Sequence, residues 1–98
     1  MEKVNHPKHY NILGKKECIE QMRDDYGETI TSIFCLTSCY KYLYRAGVKP
    51  GESQKDDIDK AKWYFNYFKT IAEYTIFDSK LERLYDYIKK EMERWEQN

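Results

Sequence analysis

Two stretches near the C-terminus limit what this chain can fold into. Ser53 and Asp56 form an S-x-x-D start signal, and behind it Ile58, Ala61, Phe65, Phe68 and Ala72 step by three and four. Ser79 and Glu82 form a second such signal, S-x-x-E. Leu81, Leu84, Ile88, Met92 and Trp95 then step in the same way to the end. A three-four rhythm puts the apolar residues of each stretch on one stripe, which must be covered. Two stripes of this kind suit antiparallel helix pairing, within the chain or between chains. With 98 residues there is room for one domain, and its small core would gain from an oligomer.

Upstream the pattern continues in helical register. Cys18, Ile19 and Met22 fit a short helix over 17–26, which Gly27 can end. Over 29–46, Ile30, Ile33, Phe34, Tyr40, Leu43 and Tyr44 fall near a helical period. The β-branched start there leaves a strand over 29–36 as the alternative. Gly47, Pro50 and Gly51 break the chain in a loop. The first sixteen residues hold a Pro, a Gly and both His and show no helical period, so they read as an arm. The expected fold is all-α: a bundle of about four helices, an N-terminal non-helical arm, and two long antiparallel helices at the C-terminal end.

Charge and composition remove several function classes. Seventeen cations cancel seventeen anions, which argues against a general nucleic-acid coat or a polybasic membrane binder. No apolar run approaches the roughly 18 residues of a membrane span, and the N-terminus carries no apolar signal segment. The three cysteines, Cys18, Cys35 and Cys39, fit a reducing cytoplasm and match no zinc spacing; they read as small buried helix residues. No P-loop, dinucleotide-binding, nucleophile-elbow or zincin motif is present. Ten Tyr, four Phe and two Trp are too much ring surface for a disordered tail.

Three constellations carry chemistry. Residues 29–51 hold no acid but contain Lys41, Arg45 and Lys49. Lys41 and Arg45 lie one helical turn apart, and such a set suits an anion, phosphate above all. A solvated face paired with acids from elsewhere is the alternative. On the following helix Asp57, Lys60 and Tyr64 share a face, and Asp57 would orient the Arg45 guanidinium if that face turns toward it. Acids in a first turn also complement the helix dipole, which is the plainer reason for Asp57. In the arm, His6 and His9 flank Pro7 and Lys8 and precede Tyr10. They suit acid–base work near neutral pH, stacking on a base, or simple pinning of the arm. Glu17 is a loose third candidate beside them for metal binding.

Four motifs occur in order: NHPKHY at 5–10, ECIE at 17–20, YKYLYRAGVK at 40–49 and DIDKAKWY at 57–64. Together they resemble a family of small phage proteins long known only as a domain of unknown function, which includes the early nucleotide kinase of a coliphage. The resemblance covers about residues 4–70 and leaves the last helix, 79–98, outside. It implies phage origin, a homo-oligomeric α-helical protein in the cytoplasm of the infected host, and nucleotide handling. The coliphage member phosphorylates deoxynucleoside monophosphates without a P-loop and is longer than this chain. Carried over by motif, His6, His9 and Glu17 take catalytic places. Tyr10, Lys41, Tyr42, Arg45, Lys49, Asp57, Lys60 and Tyr64 take nucleotide- and phosphate-binding ones. No metal ligand is assigned, and a magnesium ion would be the cofactor if phosphoryl transfer occurs. The expected function is thus a nucleotide-binding protein with P-loop-less nucleoside monophosphate kinase chemistry. The alternatives are a non-catalytic protein that sequesters nucleotides made by host defence, or a regulator that binds a host factor. Nucleic acid and membrane are not expected partners.

Overall fold

The computed structural model describes residues 16–48, 51 and 53–96. They form α1 (Cys18–Arg45), α2 (Gln54–Ile71) and α3 (Ser79–Glu96), with a 3-10 turn over Ala72–Tyr74. No strand occurs among the described residues, so the fold is all-α and 29–36 is helical. The arm over 1–15, with His6, His9 and Tyr10, lies outside the described residues, as does Lys49.

α1 is one helix in name only. Gly27 has φ 90° and ψ 174°, outside any helical region, so the segment 18–26 meets the segment 28–45 at a sharp bend. Only glycine takes this conformation cheaply. Two contacts show that the first segment folds back over the rest. Glu17, Cys18 and Ile19 line one cavity together with Phe34, and Arg23 reaches both Glu28 and Tyr67 of α2. An unbroken helix would put residues 19 and 34 more than about 20 Å apart. Four helical segments therefore pack together, as the spacing suggests.

α2 runs antiparallel to the second part of α1. Arg45 faces Asp57, Cys39 donates from Sγ to the Ala61 carbonyl at 3.2 Å, Phe34 meets Tyr64, and Ser32 meets Thr75 at 2.6 Å. After the bend, the buried side of α1 is built from small residues, Thr31, Ser32, Cys35, Ser38 and Cys39, around one large one, Leu36. This corrects the expected phase. The large residues Ile30, Ile33 and Tyr44 lie on the outer side, with the half-exposed Phe34 and Tyr40 at its edges against Tyr64 and Tyr87, while the small ones let α1 approach α2 closely enough for a thiol to reach a backbone oxygen. Cys35 and Cys39 are buried as expected, and burial pushes both thiols up to about 12; Cys18 is exposed, against expectation.

α3 closes the bundle through rings. Tyr85 packs on Phe65 and Phe68, and Phe77 meets Phe68 edge-on at 6.1 Å. Leu36, Phe68, Ile71 and Ile88 are the largest fully buried apolar side chains. The turn before α3 is clasped to α1: the Ile76 N–H donates to Thr29 Oγ1 at 2.9 Å, beside the Ser32–Thr75 contact. The Asp56 N–H donates to Ser53 Oγ at 3.0 Å, so the first cap forms as read. The second moves by one residue. Asp78, not Ser79, caps α3, with its Oδ1 accepting from the Leu81 N–H at 2.8 Å, and Ser79 becomes the first helical residue. A carboxylate caps as well as a hydroxyl and adds the favourable charge at the helix start.

Candidate functional site

The end of α1 and the first turns of α2 meet at Tyr42. Its half-buried ring carries three cations: Lys41 Nζ lies 4.5 Å from the ring centroid, Arg45 Cζ 5.1 Å and Lys60 Nζ 5.4 Å. A tyrosine face attracts cations by its quadrupole, which lets three like charges gather on one spot. Lys41 and Arg45 come from adjacent turns of α1, and Lys60 comes across from α2 because the helices run antiparallel. Tyr64, one turn beyond Lys60, stacks on Tyr42 with centroids 6.0 Å apart and planes 16° from parallel.

Asp57 sits beneath this cluster. Its side chain is completely buried, and Oδ1 lies 3.7 Å from Arg45 Nε. That distance is an ion pair without a hydrogen bond. The Arg45 side chain stays about a quarter exposed, although its Nε is buried beside the carboxylate. Arg45 thus has an acid from α2, as the alternative reading of the cation set required. Lys41 and Lys60 add their charge at the surface above it.

A second feature adjoins the first. A cavity of about 140 Å³ is lined by Glu17, Cys18, Ile19, Phe34, Trp63 and Tyr64. Tyr64 is the shared wall: Trp63 and Phe34 meet its ring edge-on at 5.1 and 5.6 Å. Glu17 is almost fully buried here, at the start of α1. The bend at Gly27 is what brings it to this place, since it returns the first segment to α2.

The structure therefore brings Lys41, Tyr42, Arg45, Asp57, Lys60 and Tyr64 together, with Glu17 at the adjoining cavity. His6, His9, Tyr10 and Lys49 fall outside the described residues. Phe34 and Trp63 were not among the expected site residues. The signal for Trp63 is its place in the run Lys60, Trp63, Tyr64, Tyr67, which is one helix face. Phe34 carried no such signal, because it reads as one more apolar step. Among the described residues no group of three or more His, Cys, Asp or Glu could hold a metal ion. Asp57 does not fit a hydrated magnesium ion either: the ion keeps several waters, and this carboxylate is enclosed against Arg45.

The model of a family described as a protein of unknown function, DUF3310, matches residues 4–66. The chain belongs to this family. No curated protein and no solved structure matches it. The DUF3310 match takes in the arm, α1 and most of α2, and so every residue at Tyr42 and the Glu17 cavity. It stops before α3, which supplies the rings that close the core. Among the described residues no helix is long and apolar enough to cross a membrane.

Proposed function

We propose that this DUF3310 protein binds a nucleotide, with its phosphates on Lys41, Arg45 and Lys60. The observation that supports the reading is the convergence of three cations on the Tyr42 ring, backed by one enclosed carboxylate. Arg offers a planar fork of donors and Lys a compact charge, which together suit a phosphate better than a carboxylate or a polyanionic surface. Exposed and half-buried rings beside the cations supply a stacking surface for a base. The resemblance to the phage family adds the class of ligand and the setting: a phage protein acting in the cytoplasm of an infected bacterium.

Kinase chemistry is the extension of this reading that the resemblance supplies. A nucleoside triphosphate would give its γ-phosphoryl group to a monophosphate, and two diphosphates would result. The cations would carry the charge spread over the transferring group, and His6 or His9 would be the proton carrier. Sequestration without turnover uses the same site and leaves the ligand unchanged. The protein would also self-associate, and the outer side of α1 supports this, since Ile30, Ile33, Phe34, Tyr40 and Tyr44 stand exposed there without an acid among them.

The test mixes the purified protein with nucleoside mono- and triphosphates and magnesium, then resolves nucleotides in the ultrafiltrate and after denaturation. New diphosphates establish the kinase reading. Nucleotides depleted from the filtrate and recovered unchanged establish a binder. In both cases Lys41→Ala and Arg45→Ala should abolish retention. Retention that survives both changes, or no retention of any nucleotide, overturns the proposal.

A further inference from the structure

We propose that the cavity between the start of α1 and α2 is a base subsite that selects cytosine. This rests on the nucleotide reading above and names the nucleotide. The cavity holds about 140 Å³. An apolar protein cavity of about 150 Å³ takes up benzene, so a space of this size fits one six-membered ring. A purine has two fused rings and is too large for it. The walls suit a flat heterocycle, with Phe34, Trp63 and Tyr64 supplying rings and Ile19 an apolar branched chain. Stacking on such rings is indifferent to which base is present. The choice among one-ring bases must therefore come from a polar group.

That group is Glu17, the only charged residue lining the cavity among the described residues, and almost fully buried. An ionised carboxylate only accepts hydrogen bonds, and its two oxygens have room for several, so a base can be added to its existing contacts. Cytosine presents an amino group, N4–H2, which donates to a carboxylate. Uracil and thymine present O4 at the same place, an acceptor facing an acceptor. In a buried setting that mismatch leaves the base O4 facing the carboxylate without a donor. The position of Tyr64 ties the subsite to the phosphate cluster. One wall of the cavity is the Tyr64 ring, the next ring is Tyr42, and Tyr42 carries Lys41, Arg45 and Lys60. A nucleotide would curl over the Tyr64 edge, base inward and phosphate on the cations. The bend at Gly27 makes the arrangement possible, because it carries Glu17 to α2 from fifteen or more residues away along the chain.

The experiment is equilibrium binding of CMP, UMP, AMP and GMP, each in ribo and 2′-deoxy form, to the full chain at one salt concentration. CMP or dCMP should bind about tenfold or more tighter than its uracil counterpart and than either purine. Glu17→Gln should bring cytosine and uracil forms to within about threefold of each other. It should do so mainly by raising the affinity for the uracil form, because a carboxamide can donate to O4 as well as accept from N4–H2. Equal binding of all four bases, or tighter binding of a purine or of UMP, overturns the base assignment and leaves the phosphate site standing. Binding of none overturns both. The wild-type panel alone decides, should Glu17→Gln fail to fold.

Discussion

Asp57 keeps no surface of its own, and neither carboxylate oxygen has a hydrogen-bond partner among the described residues. An arrangement of this kind is costly unless a positive charge lies close, and Arg45 at 3.7 Å provides it. The pair is asymmetric, since Arg45 can turn to solvent and Asp57 cannot. Removing the arginine should therefore hurt more than removing the acid. Arg45→Met should cost about 2 kcal/mol of stability and Asp57→Leu about 1 kcal/mol. The double variant should be more stable than Arg45→Met alone, with a coupling of about 2 kcal/mol in a double-mutant cycle by urea denaturation. Additive losses would show that the two charges do not act on each other. The sequence made the spacing of Lys41 and Arg45 legible, and also the shared face of Asp57, Lys60 and Tyr64. It did not make the burial of Asp57 legible, because acids in a first helical turn are usually solvated and serve the dipole.

At the scale of elements, the helices were legible, and so were the inward faces of α2 and α3, where Ile58, Ala61, Phe68, Leu81, Ile88 and Met92 are buried; the face of α1 was not. Periodicity finds a helix wherever apolar residues recur, but it assumes that the largest of them point inward. In α1 after the bend the inward side is Thr31, Ser32, Cys35, Ser38 and Cys39 around Leu36, because close approach to α2 favours small side chains. Caps have a similar ambiguity: Asp78 and Ser79 are both good caps, and only the observed bond from the Leu81 N–H decides for Asp78. The bend at Gly27 was read as a helix end, which is correct locally, but a sequence does not state the direction in which the chain leaves. The prediction at this scale follows from that bend. A Cβ at position 27 would meet nothing within 4 Å, so space is not the obstacle. The backbone is, at φ 90° and ψ 174°. Gly27→Ala should cost about 1–3 kcal/mol from strain alone. It should release the segment 18–26 before the rest, seen as faster amide exchange at 18–26 than in α2. An unchanged midpoint with uniform exchange would mean that the bend is not held by this residue's conformation.

For the molecule as a whole, what matters is where the large apolar residues went once the small ones took the inside of α1. Tyr44 is 79% exposed, Ile76 78% and Ile30 50%. Ile33 and Ile76 join Thr29, Asp78, Lys80, Leu81 and Leu84 around an open groove of about 280 Å³. The groove runs beside the outer face of α1, and that face has no acid from 29 to 45. A second copy can cover such a surface by laying the same face against it. Charge placed there should break the contact without harming the fold, because Ile33 and Ile76 make little use of the core. Light scattering after gel filtration should give the wild type a mass of two chains or more. Ile33→Lys with Ile76→Lys should give one chain that still unfolds in a single cooperative urea transition. If the wild type runs as a single chain across the accessible concentration range, the face serves something other than a copy of itself. If the charged variant keeps the larger mass, the copies meet elsewhere. Nucleotide binding decides a further point, since Lys41 and Arg45 lie beside Tyr40 and Tyr44 on α1. A monomeric variant that still retains nucleotide would mean that one chain holds the complete site, and loss of retention together with loss of mass would mean that the neighbouring copy completes it.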